Sequence, residues 1–176
     1  MRATPDEIAS RAEAWMLQRG TPFELLLHST LRSYTAHEAG QIQTATPTEY
    51  QKRQQRFIHL IEHLDKLIGK LVARTKQLGI YDNTYFIFCA DNGTAVTAKD
   101  RGVERGVHVP FVVQGPGIKK RGLTDELTDF SDIAPTLLDM TGTTPPTDTA
   151  FDGKSLLPFL TAKTDTHREW IYAYTG

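Results

Sequence analysis

Thr84-Tyr85-Phe86-Ile87-Phe88-Cys89-Ala90-Asp91-Asn92-Gly93 is the stretch around which the chain is organised. Six residues, Tyr85 to Ala90, carry no charge and are rich in aromatics, and the run stops at an acid, an amide and a glycine. Apolar and polar residues do not alternate in it. It therefore reads as a strand covered on both faces, as in a parallel sheet flanked by helices. Open parallel sheets bind ligands beyond the carboxyl ends of their strands, which is where Asp91 and Asn92 stand. Gly93 lets the backbone turn sharply or approach another group closely. Taken alone, Asp-Asn-Gly reads equally as a polar turn, so the surrounding chain has to decide.

Upstream, Thr46-Pro47-Thr48-Glu49 has the form of a capping box with proline at the first helical position, opening a long helix that ends near Gly79. Phe57, Leu60, Ile61, Leu64, Leu67, Ile68, Leu71 and Val72 recur at spacings of three and four, so this stripe is expected to pack on the sheet. The same start signal at Thr4-Pro5-Asp6-Glu7 predicts a helix from Pro5 to Gln18. Pro22 to Leu27 reads as a strand and His28 to Ala45 as a loop. Downstream, a polar segment from Thr94 to Val107 leads to a strand at His108-Val109-Pro110-Phe111-Val112-Val113, closed by Gly115-Pro116-Gly117. A shorter strand is expected over Leu123 to Phe130, and Ser131-Asp132 is expected to cap a helix from Ile133 to Met140 that Gly142 ends. Ser155 to Leu160 reads as a short helix and Trp170 to Tyr174 as a last strand. Helices alternating with buried strands give an α/β fold in layers, with a mostly parallel sheet flanked by helices.

The composition bounds the function classes. Twenty basic residues against twenty-one acidic ones leave a net charge of -1, so no global field recruits nucleic acid or an anionic membrane. No window is apolar over the length needed to span a bilayer, and the residues after Met1 hold no apolar core of the kind a signal peptide carries. Cys89 is the single cysteine, so no disulfide forms within the chain. Its place in the apolar run predicts a buried, inert thiol.

Asp91 and Asn92 offer carboxylate and carbonyl oxygens, hard ligands suited to calcium or magnesium. Two oxygens do not complete a calcium site, which takes about six to eight, so at least two further acidic residues have to come from elsewhere. Lys99, in the next loop, reads either as a compact cation facing an anion held on that metal or as a solvated surface lysine.

Four motifs in order carry a resemblance: Asp82 to Thr94, Glu104-Arg105-Gly106-Val107-His108-Val109-Pro110-Phe111, Gly115-Pro116-Gly117, and Asp132-Ile133-Ala134-Pro135-Thr136-Leu137-Leu138-Asp139-Met140-Thr141-Gly142. Together they resemble the second half of the sulfatase catalytic domain, of the alkaline phosphatase-like superfamily. Leu64-Asp65-Lys66-Leu67-Ile68-Gly69 and Phe151-Asp152-Gly153-Lys154-Ser155-Leu156-Leu157-Pro158 extend the likeness on either side. The resemblance implies hydrolysis of sulfate esters by a formylglycine made from a Cys or Ser in a Cys/Ser-x-Pro-x-Arg motif. It also implies a calcium ion held by three aspartates and an asparagine. Asp91 and Asn92 match the last two of those ligands, and Lys99, eleven residues before Pro110, matches the lysine that reaches sulfate.

The departures set further expectations. No Cys or Ser here begins the nucleophile motif, and the family's paired aspartates have no counterpart before Pro22. Residues 1–176 are therefore expected to form one partial catalytic domain lacking its N-terminal half, inactive on its own and prone to self-association through uncovered sheet. Ser33 stands where the family places a sulfate-contacting histidine, which leaves His37 as the candidate and His28 as its rival. Lys99 is followed by Asp100 where the family favours glycine. The implied substrate is a sulfated small molecule or carbohydrate, and family members are often exported. Zinc-using relatives usually place histidine beside the aspartate, because imidazole suits zinc and an amide oxygen suits calcium, so Asn92 favours sulfatase chemistry. A phosphonate or phosphate monoester hydrolase of the same superfamily, or a truncated non-catalytic remnant, are the alternatives.

Overall fold

The computed structural model describes residues 47–93 and 102–173, together with Ser10. The helix expected from Pro5, the strand from Pro22 and the loop from His28 lie outside the described residues. The long helix, α1, runs Pro47–Gln77, as the capping box and the spacing predict. Leu67 is buried in it, with Leu60 and Leu64 packed beside it, one helical stripe at three- and four-residue steps. Thr75 bonds back to the Val72 carbonyl at 2.8 Å, and Gly79, in the left-handed region at φ 70°, ends the helix. The stripe does not close along its whole length. Phe57 and Ile61 are 40% and 50% exposed, so the expected cover over the first turns is missing among the described residues.

A single 3-10 turn, Tyr81–Asn83, leads into β1, Phe86–Cys89, which pairs with β2, Phe111–Gln114. At the far end of β1 the Ala90 N–H donates to the Pro110 carbonyl at 3.2 Å, and further on the Gly93 N–H donates to the Gly106 carbonyl at 2.9 Å. A step forward along the first segment is thus a step backward along the second, and the pair is antiparallel. The described sheet has two strands, and they oppose one another, so the parallel neighbours expected for this run are not among the described residues. The expectation that neither face meets water fails. Phe86 and Ile87 are half-buried, whereas Phe88 and Cys89 are exposed. The predicted buried thiol is therefore an accessible one, because a two-stranded pair covers only part of its surface. In β2, half-buried Phe111 and Val113 alternate with exposed Val112 and Gln114, the pattern of a strand covered on one face.

Two compact units can be drawn, one around α1 and residues 102–111, the other around residues 112–173 with 85–87. In the second, a 3-10 turn at Phe130–Asp132 feeds α3, Ile133–Thr141; α2 is the short helix Glu104–Val107 described with the site below. Asp132 is the N-cap residue of α3, as expected, but its side chain makes no capping bond there; the side-chain cap is Asp129, on the 3-10 turn. Its carboxylate accepts the Ser131 N–H at 2.7 Å while Asp132 reaches back to the Asp129 N–H, a reciprocal capping box. Gly142 ends α3 in the left-handed region, as expected. The following short helix, α4, is Leu157–Leu160, and its Phe159 is buried, as are Leu156 and Ile118 elsewhere in this unit.

Neither Leu123 to Phe130 nor residues 170–173 form the expected strands. Leu123, Trp170 and Tyr172 project into solvent, so the apolar residues that suggested strands gain no sheet neighbour. What holds these segments is side-chain bonding. The Glu126 carboxylate accepts the backbone N–H of both His167 and Arg168. Asp132, fully buried, accepts from Thr128 Oγ1 at 3.2 Å, the Lys154 N–H at 2.9 Å, His167 Nε2 at 2.9 Å and Arg168 Nε at 2.9 Å, and also from the terminal guanidinium of Arg168. Gly153 makes the approach of that loop possible, because a Cβ there would stand 2.0 Å from the Ser131 carbonyl oxygen. The hydroxyl of buried Thr136 ties the same region together, donating to the Asp132 carbonyl at 2.6 Å and accepting the Leu156 N–H at 2.8 Å.

Burial pushes the Asp132 carboxyl up, but hydrogen bonds from Arg168, Lys154, His167 and Asp129 outweigh it and hold the group well below the usual carboxylate range. A carboxyl depressed in the folded state contributes stability that is fully present above its unfolded value, near 3.8, and is lost as the pH falls below it toward the folded value. Asp132→Asn should therefore lower the unfolding free energy at neutral pH by about 3 kcal/mol, because it removes the buried negative charge on which His167 and Arg168 converge and leaves Arg168 only the longer contact to Asp129 at 3.9 Å. Urea unfolding followed by circular dichroism at several pH values checks this. The gap between the two proteins should narrow below pH 3.8 as the native carboxyl protonates.

Candidate functional site

β1 ends at Cys89, and the chain then presents exposed Asp91 and half-buried Asn92. The Asn92 Nδ2 donates to the Gly93 carbonyl at 2.7 Å, which turns the amide nitrogen into its own loop and settles which side of the group carries the oxygen. Gly93 is pinned as well as turned. Its N–H donates to the Gly106 carbonyl, and an added Cβ would lie 1.7 Å from the Arg105 carbonyl oxygen and 2.7 Å from the carbonyl carbon. Only glycine allows that contact, since both obstructing atoms are backbone.

The floor under Gly93 is itself built. Glu104–Val107, at the end of the polar segment, forms the one-turn helix α2. The Gly106 N–H donates to the Val103 carbonyl at 2.8 Å and the His108 N–H to the Glu104 carbonyl at 2.7 Å, and Gly106 is buried. The sequence Glu-Arg-Gly-Val thus supplies a closed turn whose carbonyls meet the Asp-Asn-Gly turn. His108 and Glu104 form an exposed pair at 3.4 Å on its outer side.

The donors gathered at the end of β1 are a carboxylate and an amide oxygen. Both are hard oxygen ligands, and no thiolate or imidazole accompanies them in a cluster: among the described residues no group of three or more His, Cys, Asp or Glu is placed to hold a metal. This donor chemistry fits a hard divalent cation at the level of two ligands. Lys99, His37, His28 and Ser33 lie outside the described residues.

The most densely bonded polar group of the described residues is Asp132, expected from the sequence as a helix cap and as the first residue of the fourth motif. Asp132, His167 and Arg168 are 35 and 36 positions apart yet bond directly. A carboxylate offers about four acceptor positions, and those of Asp132 are occupied by side-chain and backbone donors on every side. With no exposed surface and no acceptor left over, Asp132 cannot act on a substrate, and its role is to hold the fold. The only sequence cue to it is the adjacency of His167 and Arg168, a pair of donors beside each other in a polar tail.

Comparison with known proteins follows the same residues. The family profile described as Sulfatase matches residues 5–143. The chain is similar to the extracellular sulfatase SULF-1 homolog of Drosophila melanogaster, 32% identical over 118 residues, which cover 64% of this chain and 10% of that protein. It is also similar to the uncharacterized sulfatase YdeN of Escherichia coli (strain K12), 27% identical, with 81% of this chain and 30% of that protein covered. The chain thus spans less than a third of the length of these curated relatives. Among solved structures it resembles the phosphonate monoester hydrolase SpPMH from Silicibacter pomeroyi, with a TM-score of 0.57 and 30% identity, over 72% of this chain and 26% of that one. A profile that takes in the Asp-Asn-Gly turn, its α2 floor and the α3 motif over residues 5–143 shows that the chain belongs to the sulfatase family.

Proposed function

We propose that the chain is the C-terminal portion of a sulfuric ester hydrolase domain, in which Asp91 and Asn92 are two of the ligands of a calcium ion. The observation that carries this reading is the pinned Asp-Asn-Gly turn. Gly93, locked on Arg105 and Gly106, fixes the backbone that carries two neighbouring side chains with hard oxygens at a strand end. Bound there, the cation would neutralise ester oxygens and lower the pKa of a nucleophile. Lys99 is proposed to place a compact positive charge against the same oxygens, and His37 to donate a hydrogen bond to them. The formylglycine nucleophile and the remaining acidic ligands belong, in this reading, to another part of the intact enzyme. So do the strands that would extend the β1–β2 pair into a layered, mostly parallel sheet.

A second reading has an observation of its own. The structural neighbour at 30% identity is a phosphonate monoester hydrolase, so a phosphonate or phosphate monoester is the competing substrate class. Both classes present a tetrahedral centre with anionic oxygens, which the same cation and lysine would serve. The ratio of turnover on 4-nitrophenyl sulfate to that on 4-nitrophenyl phenylphosphonate, measured on the intact enzyme, separates them. A ratio well above one supports the sulfatase reading, and one well below it overturns it.

In the intact enzyme, Asp91→Ala and Asn92→Ala should each lower kcat/KM on the preferred ester by about 100-fold or more, because a ligand to the charge-stabilising cation is removed. Unchanged steady-state kinetics in both variants would remove the two residues from the site. The 176-residue chain alone should hydrolyse no aryl sulfate above an Asp91→Ala control and should bind calcium more weakly than about micromolar by calorimetry, since two donors do not make a calcium site. Gly93→Ala should cost about 1–3 kcal/mol in urea unfolding of the chain, because backbone at Arg105 has to move to admit the methyl. The same change should lower activity in the intact enzyme without touching a ligand.

A further inference from the structure

The unit built on Asp132 carries a groove of about 370 Å³ lined by Asp152, Lys154, His167, Arg168, Glu169 and Trp170. Both of its walls hang from one carboxylate. On one side the Lys154 N–H is bonded to Asp132 Oδ1; on the other, the side chains of His167 and Arg168 are bonded to the same group, with their backbone N–H groups held by Glu126. The groove is therefore mounted on a fixed frame, although it lies among loops.

Its lining is of two kinds. Trp170, only two residues beyond the anchored Arg168, leaves 69% of its surface in solvent, a large and mostly uncovered aromatic ring. Around it, the side chains of Asp152, Lys154 and Glu169 enter none of the hydrogen bonds or ion pairs formed among the described residues. Two carboxylates and one ammonium are thus left as acceptors and donors beside an aromatic platform. The Arg168 charge is already matched by Asp132 beneath the groove. What remains has no cationic excess to attract an anion, and Lys154 opposes a cation.

A ligand suited to this lining is neutral, carries several groups that both donate and accept, and presents a flat apolar face to the indole. We infer that the groove is a binding site for a neutral polyhydroxylated ring, a sugar unit of an oligosaccharide, stacked on Trp170 with its hydroxyls bonded to Asp152, Glu169 and Lys154. Hydroxyls donate to the carboxylates and accept from the ammonium, so one ring satisfies both kinds of group. The site stands apart from the hydrolase reading, since it needs neither the metal nor turnover.

The test uses the 176-residue chain with Trp15→Phe, which leaves Trp170 as the sole tryptophan. Its fluorescence is titrated with cellotetraose, maltotetraose and chitotetraose, and in parallel with a sulfated tetrasaccharide and with choline. The expected result is a saturable blue shift with at least one neutral oligosaccharide, little changed between low and high salt. Affinity should fall by about tenfold or more in Asp152→Asn and Lys154→Ala, each with unaltered circular dichroism. Calorimetry on Trp170→Ala should show no heat of binding. The inference is overturned if no neutral oligosaccharide gives a saturable shift. It is also overturned if only the sulfated sugar or choline binds, with a steep salt dependence, or if binding survives Trp170→Ala. Hydrolase activity bears on none of these readings, so the two proposals fail separately.

Discussion

The part of the chain that follows β2 depends on a buried carboxylate. Taking Asp132 out of water is costly by several kcal/mol unless its charge and its lone pairs are answered, and a lone Asp–Arg pair seldom suffices. Here the answer is complete: a guanidinium, an imidazole nitrogen, a hydroxyl and two backbone amides converge on its two oxygens. The consequence is structural economy. Residues 123–129 and 167–173 have no ladder of strand hydrogen bonds, yet the polar backbone at His167 and Arg168 is satisfied because Glu126 and Asp132 draw that segment in. Removing the central acid leaves a half-buried guanidinium with only Asp129 beside it and orphans several donors at once.

Glycine serves each unit in the same way, by letting backbone touch backbone. Gly153 brings its loop against Ser131 so that the Lys154 N–H reaches Asp132, and Gly93 brings its turn against Arg105 so that Asn92 is held. In both places the neighbour is a carbonyl that cannot swing aside as a side chain would. The positions of a structural carboxylate and of a candidate ligand pair are therefore set by the absence of a side chain next door.

How much of this was legible in the residues depends on the range of the interaction. α1 and α3 were readable, because a capping motif, a three-and-four repeat and a glycine stop are local features that need no knowledge of the rest of the chain. The run from Phe86 to Cys89 was readable as a strand for the same reason. Its pairing direction and its exposure were not, since both are properties of the partner: an apolar run looks alike in a parallel sheet and at the rim of an antiparallel pair. Cys89 was misjudged on that account. Apolar residues at Leu123, Leu127, Trp170 and Tyr172 suggested strands, but in these segments long-range bonds to Glu126 and Asp132 decided the backbone instead. Of the candidate site, Asp91, Asn92 and Gly93 were visible as residues. That Gly93 is locked by Glu104–Val107 was hidden, because the lock consists of backbone carbonyls, which every residue possesses.

The two aspartates Asp91 and Asp132 show why composition cannot assign chemistry and placement can. Both belong to motifs that resemble the sulfatase pattern, and both are carboxylates next to a turn. Asp132 is enclosed and bonded on all sides, so its negative charge is a fixed feature of the fold, held ionised far below neutral pH. Asp91 stands exposed at the end of a strand beside an amide whose nitrogen is tied to its own loop, and both side chains carry oxygens of the kind a hard cation takes. An imidazole in place of Asn92 would bring a nitrogen suited to zinc, and the pair would then favour a different metal. The most buried acid among the described residues therefore stabilises, whereas Asp91 lies exposed at a strand end, next to a turn that only glycine can make.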